Sequence, residues 1–386
     1  MSKKTLVLIL GNLTAFGPFV TDFYLPCLPV LTSYFSASAS LIQVSLTAGM
    51  LGLAAGQLLI GPIADKYGRK GPLLWCLLLF VLATMGCLLS TNIVPFICFR
   101  LLQGLTGASG LVISKVIIAD SFSAADIAKY FAILAAVQGA APIVAPVVGG
   151  AAFSLSSWQG AFSVLGLWGL VLLCACRRLR ETLDEKDRLQ MPIWETFRCY
   201  AAVVRNRPYL VMNLLQGFAS AALMAYISAS PFIFQNHFGL TPMEYSLCFA
   251  GNAVGLVAGS SVVIRIKKLE VATRRSTFVL VAMAVFSSLA LLLEGLFALF
   301  EVFIFLMLFC VGLLTPATIT LALRTITENR GMAAALLGAV PFLIGGIVAP
   351  FTGLGNIIHS TALSITVCAL VCLCLERLFN SGTISE

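Results

Sequence analysis

The chain has 386 residues, of which 60% are hydrophobic and only 10% are charged, whereas soluble domains have about 45–50% and 25%. This excess of apolar residues excludes a soluble globular fold, and the residues are grouped in runs of about twenty, the length of a helix that crosses a bilayer. The basic residues behind the net charge of +8 lie between these runs, which argues against a nucleic-acid partner.

Twelve apolar runs predict an all-α membrane protein with twelve transmembrane helices. We place the spans near residues 5–27, 40–60, 72–91, 93–118, 129–153, 159–177, 208–235, 243–264, 276–294, 300–323, 332–354 and 359–376.

The basic residues predict the topology, because short cytoplasmic connections are enriched in Lys and Arg. With twelve spans, every Lys and Arg except Arg100 and Lys115 falls on one face of the membrane. We therefore predict a multi-pass protein of the inner (cytoplasmic) membrane with both termini cytoplasmic.

The longest polar connection predicts two halves. Residues 179–207 form a charged linker between an N-terminal six-helix half, 1–178, and a C-terminal six-helix half, 208–386. Within the linker, residues 193–204 are amphipathic, which predicts a helix along the membrane surface.

Two short repeats support a duplication. Residues 51–56 resemble 254–259, and residues 144–146 are identical to 348–350, at offsets of 203 and 204 positions. Parallel repeats of this kind are typical of secondary transporters, whose substrate site lies near the bilayer midplane between the halves.

Two charges lie well inside spans, away from the span ends, where a charge costs about 2.5–3.5 kcal/mol on insertion scales. At 1.5 Å per residue, Asp22 in span 1 and Arg100 in span 4 are both roughly 7–11 Å deep from the outer face, and they can meet if the spans are neighbours. Either Asp22 takes up a proton from outside and loosens its hold on Arg100, or the two form a permanent salt bridge that joins the spans.

The other charges near span ends have simpler interpretations. Lys115 lies about one turn from the cytoplasmic end of span 4, from where its stem can carry the ammonium group to the interface. Glu244, Glu294 and Glu301 fall at the outer ends of spans 8, 9 and 10, where we expect solvated carboxylates. The C-terminal half then contains no deep acid, which leaves proton coupling to the N-terminal half.

The connection after span 2 is a tight polar turn. Its glycines permit positive φ, and its acid can cap the following helix, but capping does not explain its basic residues. The residues concerned are Gly61, Asp65, Gly68, Arg69 and Lys70.

Span 5 contains a run of glycines and prolines. Glycines permit close contact between helices and prolines introduce kinks, so the run either has a conformational role or simply allows tight packing. Its members are Gly139, Pro142, Pro146, Gly149 and Gly150.

Together these stretches resemble the signatures of the major facilitator superfamily. The Asp65 turn resembles its signature loop, residues 100–107 resemble its span 4 motif, and the span 5 run resembles the motif of its antiporters. Residues 22–29 and 56–62 resemble, more narrowly, the bicyclomycin-resistance (Bcr/CflA) branch of drug:proton antiporters. The resemblance implies the major facilitator fold and polyspecific drug export, and hence antibiotic resistance.

The same resemblance implies roles for the motif residues. The Asp65 turn, with Arg69 and Lys70, would form a cytoplasmic gate, Arg100 would serve proton coupling, and the span 5 run would set the interface between the halves. The chain departs from the branch pattern at Ala119, since Arg usually precedes the acid that follows it, and Lys115 stands where a neutral residue is expected.

The sequence therefore predicts a monomeric, proton-coupled multidrug efflux antiporter that works by alternating access in the lipid bilayer, without a metal or cofactor. A metabolite exporter or a proton-coupled importer on the same fold is the alternative. A membrane-embedded enzyme is disfavoured, because the spans offer no nucleophile with a base and no metal cluster. Candidate cavity residues for small amphipathic cargo are Tyr24, Gln103, Tyr226 and Phe232.

Overall fold

The computed structural model describes residues 2–190, 192–293 and 297–383, and this part of the chain is almost entirely helical. It contains twelve helices that are long and apolar enough to cross a membrane, which confirms the predicted fold class of a multi-pass membrane protein. Spans 1 to 12 are Lys3–Tyr34, Ala39–Tyr67, Lys70–Leu89, Ile93–Ser121, Lys129–Leu155, Trp158–Cys176, Arg207–His237, Pro242–Arg265, Leu269–Leu292, Phe297–Arg324, Arg330–Gly353 and Ile357–Phe379.

The chain forms two compact units. The first comprises Met1–Ala37 and Ala48–Phe197, and the second comprises Ser38–Thr47 and Arg198–Glu386. A helix occupies Ile193–Val204, at the amphipathic stretch that predicted one, and the boundary between the units falls within it.

Span 1 is longer than predicted and is broken. Its first helices are Lys3–Thr14 and Phe16–Asp22, a 3₁₀ turn follows at Leu25–Cys27, and the last helix is Leu28–Tyr34. Prolines at positions 26 and 29 lie in the first turns of the last two segments, and proline cannot donate the backbone hydrogen bond that would continue a helix. The break therefore comes directly after Asp22.

In the first unit, the glycines of the first repeat bring spans 2 and 4 into backbone contact. A Cβ atom on Gly52 would meet the carbonyl oxygen of Leu101, and one on Gly56 would meet that of Leu105. Only small residues permit two membrane helices to approach this closely.

The second unit contains the same contact between spans 8 and 10. A Cβ atom on Gly255 would meet the carbonyl oxygen of Phe305, and one on Gly259 would meet that of Phe309. The partner residues in spans 4 and 10 are 204 positions apart, as the repeat offsets require. The repeat thus reflects one helix-packing solution used in both units.

Candidate functional site

Asp22 is a buried acid at the break in span 1. Its residue is 4% exposed, and the hydroxyl of the neighbouring Thr21 donates to the backbone carbonyls of Gly17 and Pro18. Among the described residues it forms no ion pair. Asp22 is therefore a buried acid that lies inside a span and lacks an ion-pair partner in the described ranges.

Arg100 is fully buried in span 4 and is held by neutral groups. Its Nη2 donates to the carbonyl oxygen of Val20 over 2.6 Å, and its Nη1 donates to Oε1 of Gln103. The guanidinium lies 4.1 Å from the centre of the Tyr24 ring, a cation–π contact. Gln103 is fixed in turn, since its Nε2 donates to Thr84 over 2.7 Å.

The predicted pairing of Asp22 with Arg100 is not found in the described part of the chain. Spans 1 and 4 are neighbours, as expected, but the guanidinium binds the backbone two residues before Asp22. The last four carbonyl groups of a helix lack partners within that helix. Because the helical segment ends at Asp22, the carbonyl of Val20 is one of these free carbonyl groups. It accepts the hydrogen bond from Arg100 that the Asp22 carboxylate was expected to accept.

The turn after span 2 is the centre of a polar cluster, which we call the Arg69 cluster: Asp65, Arg69, Asp120, Glu181 and Thr182. The guanidinium of Arg69 pairs with Asp65, and its Nε donates to Asp120 over 3.2 Å. Thr182 donates to the same carboxylate over 3.0 Å. The turn is thereby joined to the end of span 4 and to the linker.

Glu181 binds the backbone at the start of span 3. Its carboxylate accepts from the backbone N–H groups of Arg69 over 2.8 Å and Lys70 over 3.1 Å, and from those of Thr182 and Leu183. Partial burial raises the pKa of this carboxyl, but the four N–H donors outweigh it and the pKa lies below its ordinary value of 4.5. A carboxylate at the N-terminus of a helix is also favoured by the helix dipole.

Gly68 is required by this arrangement. Its φ of +93° is unfavourable for residues with a side chain, and a Cβ atom there would meet the Glu181 carboxylate. Gly61 has more room, since its nearest neighbour would be a methyl group of Val112 at 3.9 Å. Lys70 takes part through its backbone N–H.

Asp120 and Glu181 were not among the predicted gate residues. Asp120 is close to the end of span 4, which a topology with short connections places on the same face as the turn after span 2. For Glu181 the sequence holds no comparable signal, because it lies among several charges of a linker whose path cannot be predicted.

The glycine and proline run of span 5 packs on the break in span 1. The helix Ala124–Leu155 continues through Pro142 and Pro146, and a Cβ atom on Gly149 would meet the carbonyl oxygen of Phe23. Gly150 is buried and Gly139 is half-buried. The run thus contacts the segment that carries Asp22.

A cavity of about 780 Å³ lies in the first unit beside the same segment. Its walls come from spans 1, 5 and 6, and they are mainly apolar with lysines at one end. The lining residues are Lys3, Lys4, Val7, Leu8, Gly11, Asn12, Ala15, Phe19, Phe23, Lys129, Tyr130, Ile133, Val137, Val148, Val164, Leu165 and Trp168.

The four candidate cavity residues have different surroundings. In the first unit, Tyr24 and Gln103 both contact Arg100. In the second unit, the hydroxyl of Tyr226 accepts from Asn252, while Phe232 lines a cavity of about 420 Å³. None of the four lines the larger cavity of the first unit.

The predicted solvated acids in spans 8 to 10 need a correction. Glu244 is exposed and forms a capping box with Thr241, as expected, and Glu294 lies outside the described residues. Glu301 is different: its Oε1 accepts from Nδ2 of Asn252 over 2.8 Å, and its Oε2 is buried without a partner. The expectation of a solvated carboxylate is wrong for Glu301, because the amide from span 8 holds this half-buried side chain inside the unit. Lys115, by contrast, is exposed.

Comparison with protein sequences shows which proteins this chain resembles. A sequence model of the Major Facilitator Superfamily matches residues 8–350. The protein named "Uncharacterized MFS-type transporter YdgK" of Bacillus subtilis (strain 168) is 36% identical over 361 residues, 92% of this chain and 90% of that protein. The "Bicyclomycin resistance protein homolog" of Haemophilus influenzae is 26% identical over 89% of this chain and 87% of its own length. The "Chloramphenicol resistance protein CraA" of Acinetobacter baumannii is 28% identical over 64% of this chain and 59% of its own length.

Solved structures share the fold at lower identity. An inward-facing bacterial homologue of the human lysosomal transporter Spinster has a TM-score of 0.77 and 17% identity, and the match covers 100% of this chain and 99% of that one. A D-xylose-proton symporter has a TM-score of 0.72 and 14% identity, with 96% of this chain and 97% of that one covered. These similarities concern the fold.

Proposed function

The chain belongs to the major facilitator superfamily, and from this premise we propose that it is a proton-coupled exporter of small amphipathic compounds. The observation that carries the proposal is Asp22, a buried acid without an ion-pair partner among the described residues, at a break in span 1. Relatives named for resistance to bicyclomycin and chloramphenicol support drugs as cargo and outward transport as the direction.

Asp22 is suited to carry the proton. Arg100 binds the Val20 carbonyl, Gln103 and the Tyr24 ring and forms no ion pair with Asp22 in the described ranges, so Asp22 can gain or lose a proton without breaking an ion pair. Each change alters the charge beside the break in span 1. A proton and a cargo that favour different conformations oppose each other's binding, and this reciprocal coupling is the basis of antiport.

The Arg69 cluster is the proposed conformational gate. It joins the turn after span 2 to the end of span 4 through Asp120 and to the linker through Glu181. Movement of span 2 relative to these partners has to break charged hydrogen bonds. The arrangement in which these bonds are formed, which we call closed, is therefore separated from any open arrangement by their loss. With both termini cytoplasmic, this gate faces the cytoplasm.

The cavity of the first unit is the proposed cargo site. Its volume of about 780 Å³ lies within the range of about 300–1,000 Å³ that is typical of small-molecule sites. The aromatic rings of Phe19, Phe23 and Trp168 line it, and Phe23 directly follows Asp22 in the chain. Cargo and proton would therefore act on one segment of span 1.

The experiment uses bacterial cells that lack their own drug exporters. These cells express the parent protein, Asp22→Asn or the matched control Asp187→Asn. Asp187 is an exposed acid of the linker. The cargo panel contains chloramphenicol, bicyclomycin and a fluorescent organic cation, and accumulation is measured with and without a protonophore.

We expect the parent and Asp187→Asn to lower accumulation of at least one compound, the protonophore to abolish that difference, and Asp22→Asn to behave like cells without the protein. Equal amounts of each variant in the membrane are required. If the parent raises accumulation, import replaces export. If it leaves every compound unchanged, drug export is contradicted.

A further inference from the structure

Glu301 is a half-buried acid of the second unit. It lies four residues after the start of span 10 at Phe297. Its Oε1 accepts from Nδ2 of Asn252, which also donates to the hydroxyl of Tyr226 over 3.0 Å. Asn252 and Tyr226 are each 2% exposed, and Oε2 of Glu301 is buried without a partner. One of the two carboxyl oxygens thus has no donor among the described residues.

The groups in the described ranges that face Glu301 include no lysine or arginine. Tyr226 faces it from span 7 and Cys248 from span 8. Around these lie Tyr245 and the exposed Glu244 of span 8, and the exposed His237 at the end of span 7, whose ring contacts Phe238.

The remaining helices packed against span 10 are spans 9 and 11. Their described charged residues, Glu270, Arg274, Arg275 and Arg330, are in the first turns of those helices, at the opposite end of span 10 from Glu301. No Lys, Arg or His in the described ranges forms an ion pair with Glu301.

An anion in such a place is costly, since a buried carboxylate requires a cation or a full set of hydrogen bonds. A neutral carboxylic acid avoids the cost of the buried charge and keeps only the smaller cost of an O–H group without an acceptor among the described residues. A proton on Oε2 leaves Oε1 free to accept from Asn252, so the observed contacts are those that a neutral acid can make.

We propose that Glu301, with Asn252 and Tyr226, forms a second proton-binding site, located in the second unit, with the proton on Oε2. The proton comes from water and returns to water, and only the O–H bond is formed and broken. The site goes beyond the function proposed for Asp22, because it gives the second unit a proton carrier of its own.

The test is infrared spectroscopy of the purified protein in lipid nanodiscs, which resolves the C=O band of protonated carboxyl groups as the pH is varied. No cargo is added, so the result does not depend on whether the protein exports drugs. The variants are Glu301→Gln, the matched control Glu244→Gln at an exposed acid of the same unit, and Asn252→Ala.

At pH 7 we expect the parent and Glu244→Gln to show the same acid band and Glu301→Gln to lose the intensity of one carboxyl group. Asn252→Ala removes the amide donor that favours the anion, so the acid band of this variant should persist to higher pH than that of the parent. This variant retains Glu301 and keeps the proposal testable if Glu301→Gln does not fold.

An acid band at pH 7 that is the same in Glu301→Gln and the parent would overturn the proposal, as would a titration that Asn252→Ala leaves unchanged. Exchange of choline chloride for sodium chloride should have no effect. Loss of the band on adding sodium would assign the site to a metal cation instead of a proton.

Discussion

Replacement of Glu181 by Ala should release the start of span 3. In the parent, the N–H groups of Arg69 and Lys70 donate to the two oxygens of this carboxylate. The first N–H groups of a helix have no acceptor within the helix, so Glu181→Ala leaves these two to solvent.

The magnitude follows from the exposure of Glu181. A hydrogen bond to a charged group contributes about 1.5–3 kcal/mol, whereas interactions of exposed charges are reduced by solvent to about 0–1 kcal/mol. Glu181 is exposed but is bound by several donors. We therefore expect the hydrogen bonds of Glu181 together to stabilise the turn by about 1.4 kcal/mol in its closed state, in which the amides of Arg69 and Lys70 are bound. This corresponds to about a tenfold change in the equilibrium between the closed state and an open state in which these amides are free.

Amide hydrogen exchange of the protein in nanodiscs measures this opening. We expect the amides of Arg69 and Lys70 to exchange about tenfold faster in Glu181→Ala, and Glu181→Gln, which keeps a neutral acceptor, to fall in between. The control is Glu185→Ala, since the exposed carboxylate of Glu185 makes a surface pair with Arg188 over 3.7 Å and is not bound to the start of span 3 in the described ranges. Unchanged exchange in Glu181→Ala would refute the reasoning, because the carboxylate would then contribute nothing to the closed turn.

Three further predictions concern the first unit. Gly104→Ala should lower stability by about 1–3 kcal/mol through overpacking, because its Cβ would meet the backbone of span 2. Gly61→Ala should instead leave the melting temperature in detergent equal to that of the parent or higher. A melting temperature of Gly104→Ala equal to that of Gly61→Ala would contradict this. Arg100→Lys should lower the melting temperature, since an ammonium group cannot reproduce the two-sided donation of a guanidinium, and a parent-like melting curve would argue against those contacts. Because the pKa of Glu181 is lowered in the folded protein, its contribution is present above pH 4.5 and lost as the pH falls through the folded-state pKa. Relative to the intrinsic exchange rate at each pH, the protection of the Arg69 amide should therefore fall in acid in the parent but not in Glu181→Gln, and an equal loss of protection in both would contradict the assignment.

The sequence predicted the architecture well because lipid imposes simple rules. Apolar runs of bilayer length predicted all twelve spans, and the repeated glycines at 51–56 and 254–259 correspond to the same backbone contact in both units. Such features depend on composition and spacing, which can be read along the chain.

The site was predicted only in part, because side-chain partners depend on local geometry. Asp22 and Arg100 were identified as buried charges, but their pairing was wrong, since the break in span 1 frees a backbone carbonyl for the guanidinium. Glu301 was taken for a solvated acid, because its distance from the span end gave no sign of the amide of Asn252. Glu181 could not be assigned from its position in a linker.

Proton flux in proteoliposomes is the most direct test of coupling through Asp22. The purified parent, Asp22→Asn and Asp187→Asn are reconstituted with an imposed proton gradient, and internal pH is followed while cargo is added. We predict that cargo discharges the gradient with the parent and with Asp187→Asn, but not with Asp22→Asn. Full discharge by Asp22→Asn would contradict the account and place the proton carrier elsewhere, and no discharge by the parent with any cargo would contradict antiport itself.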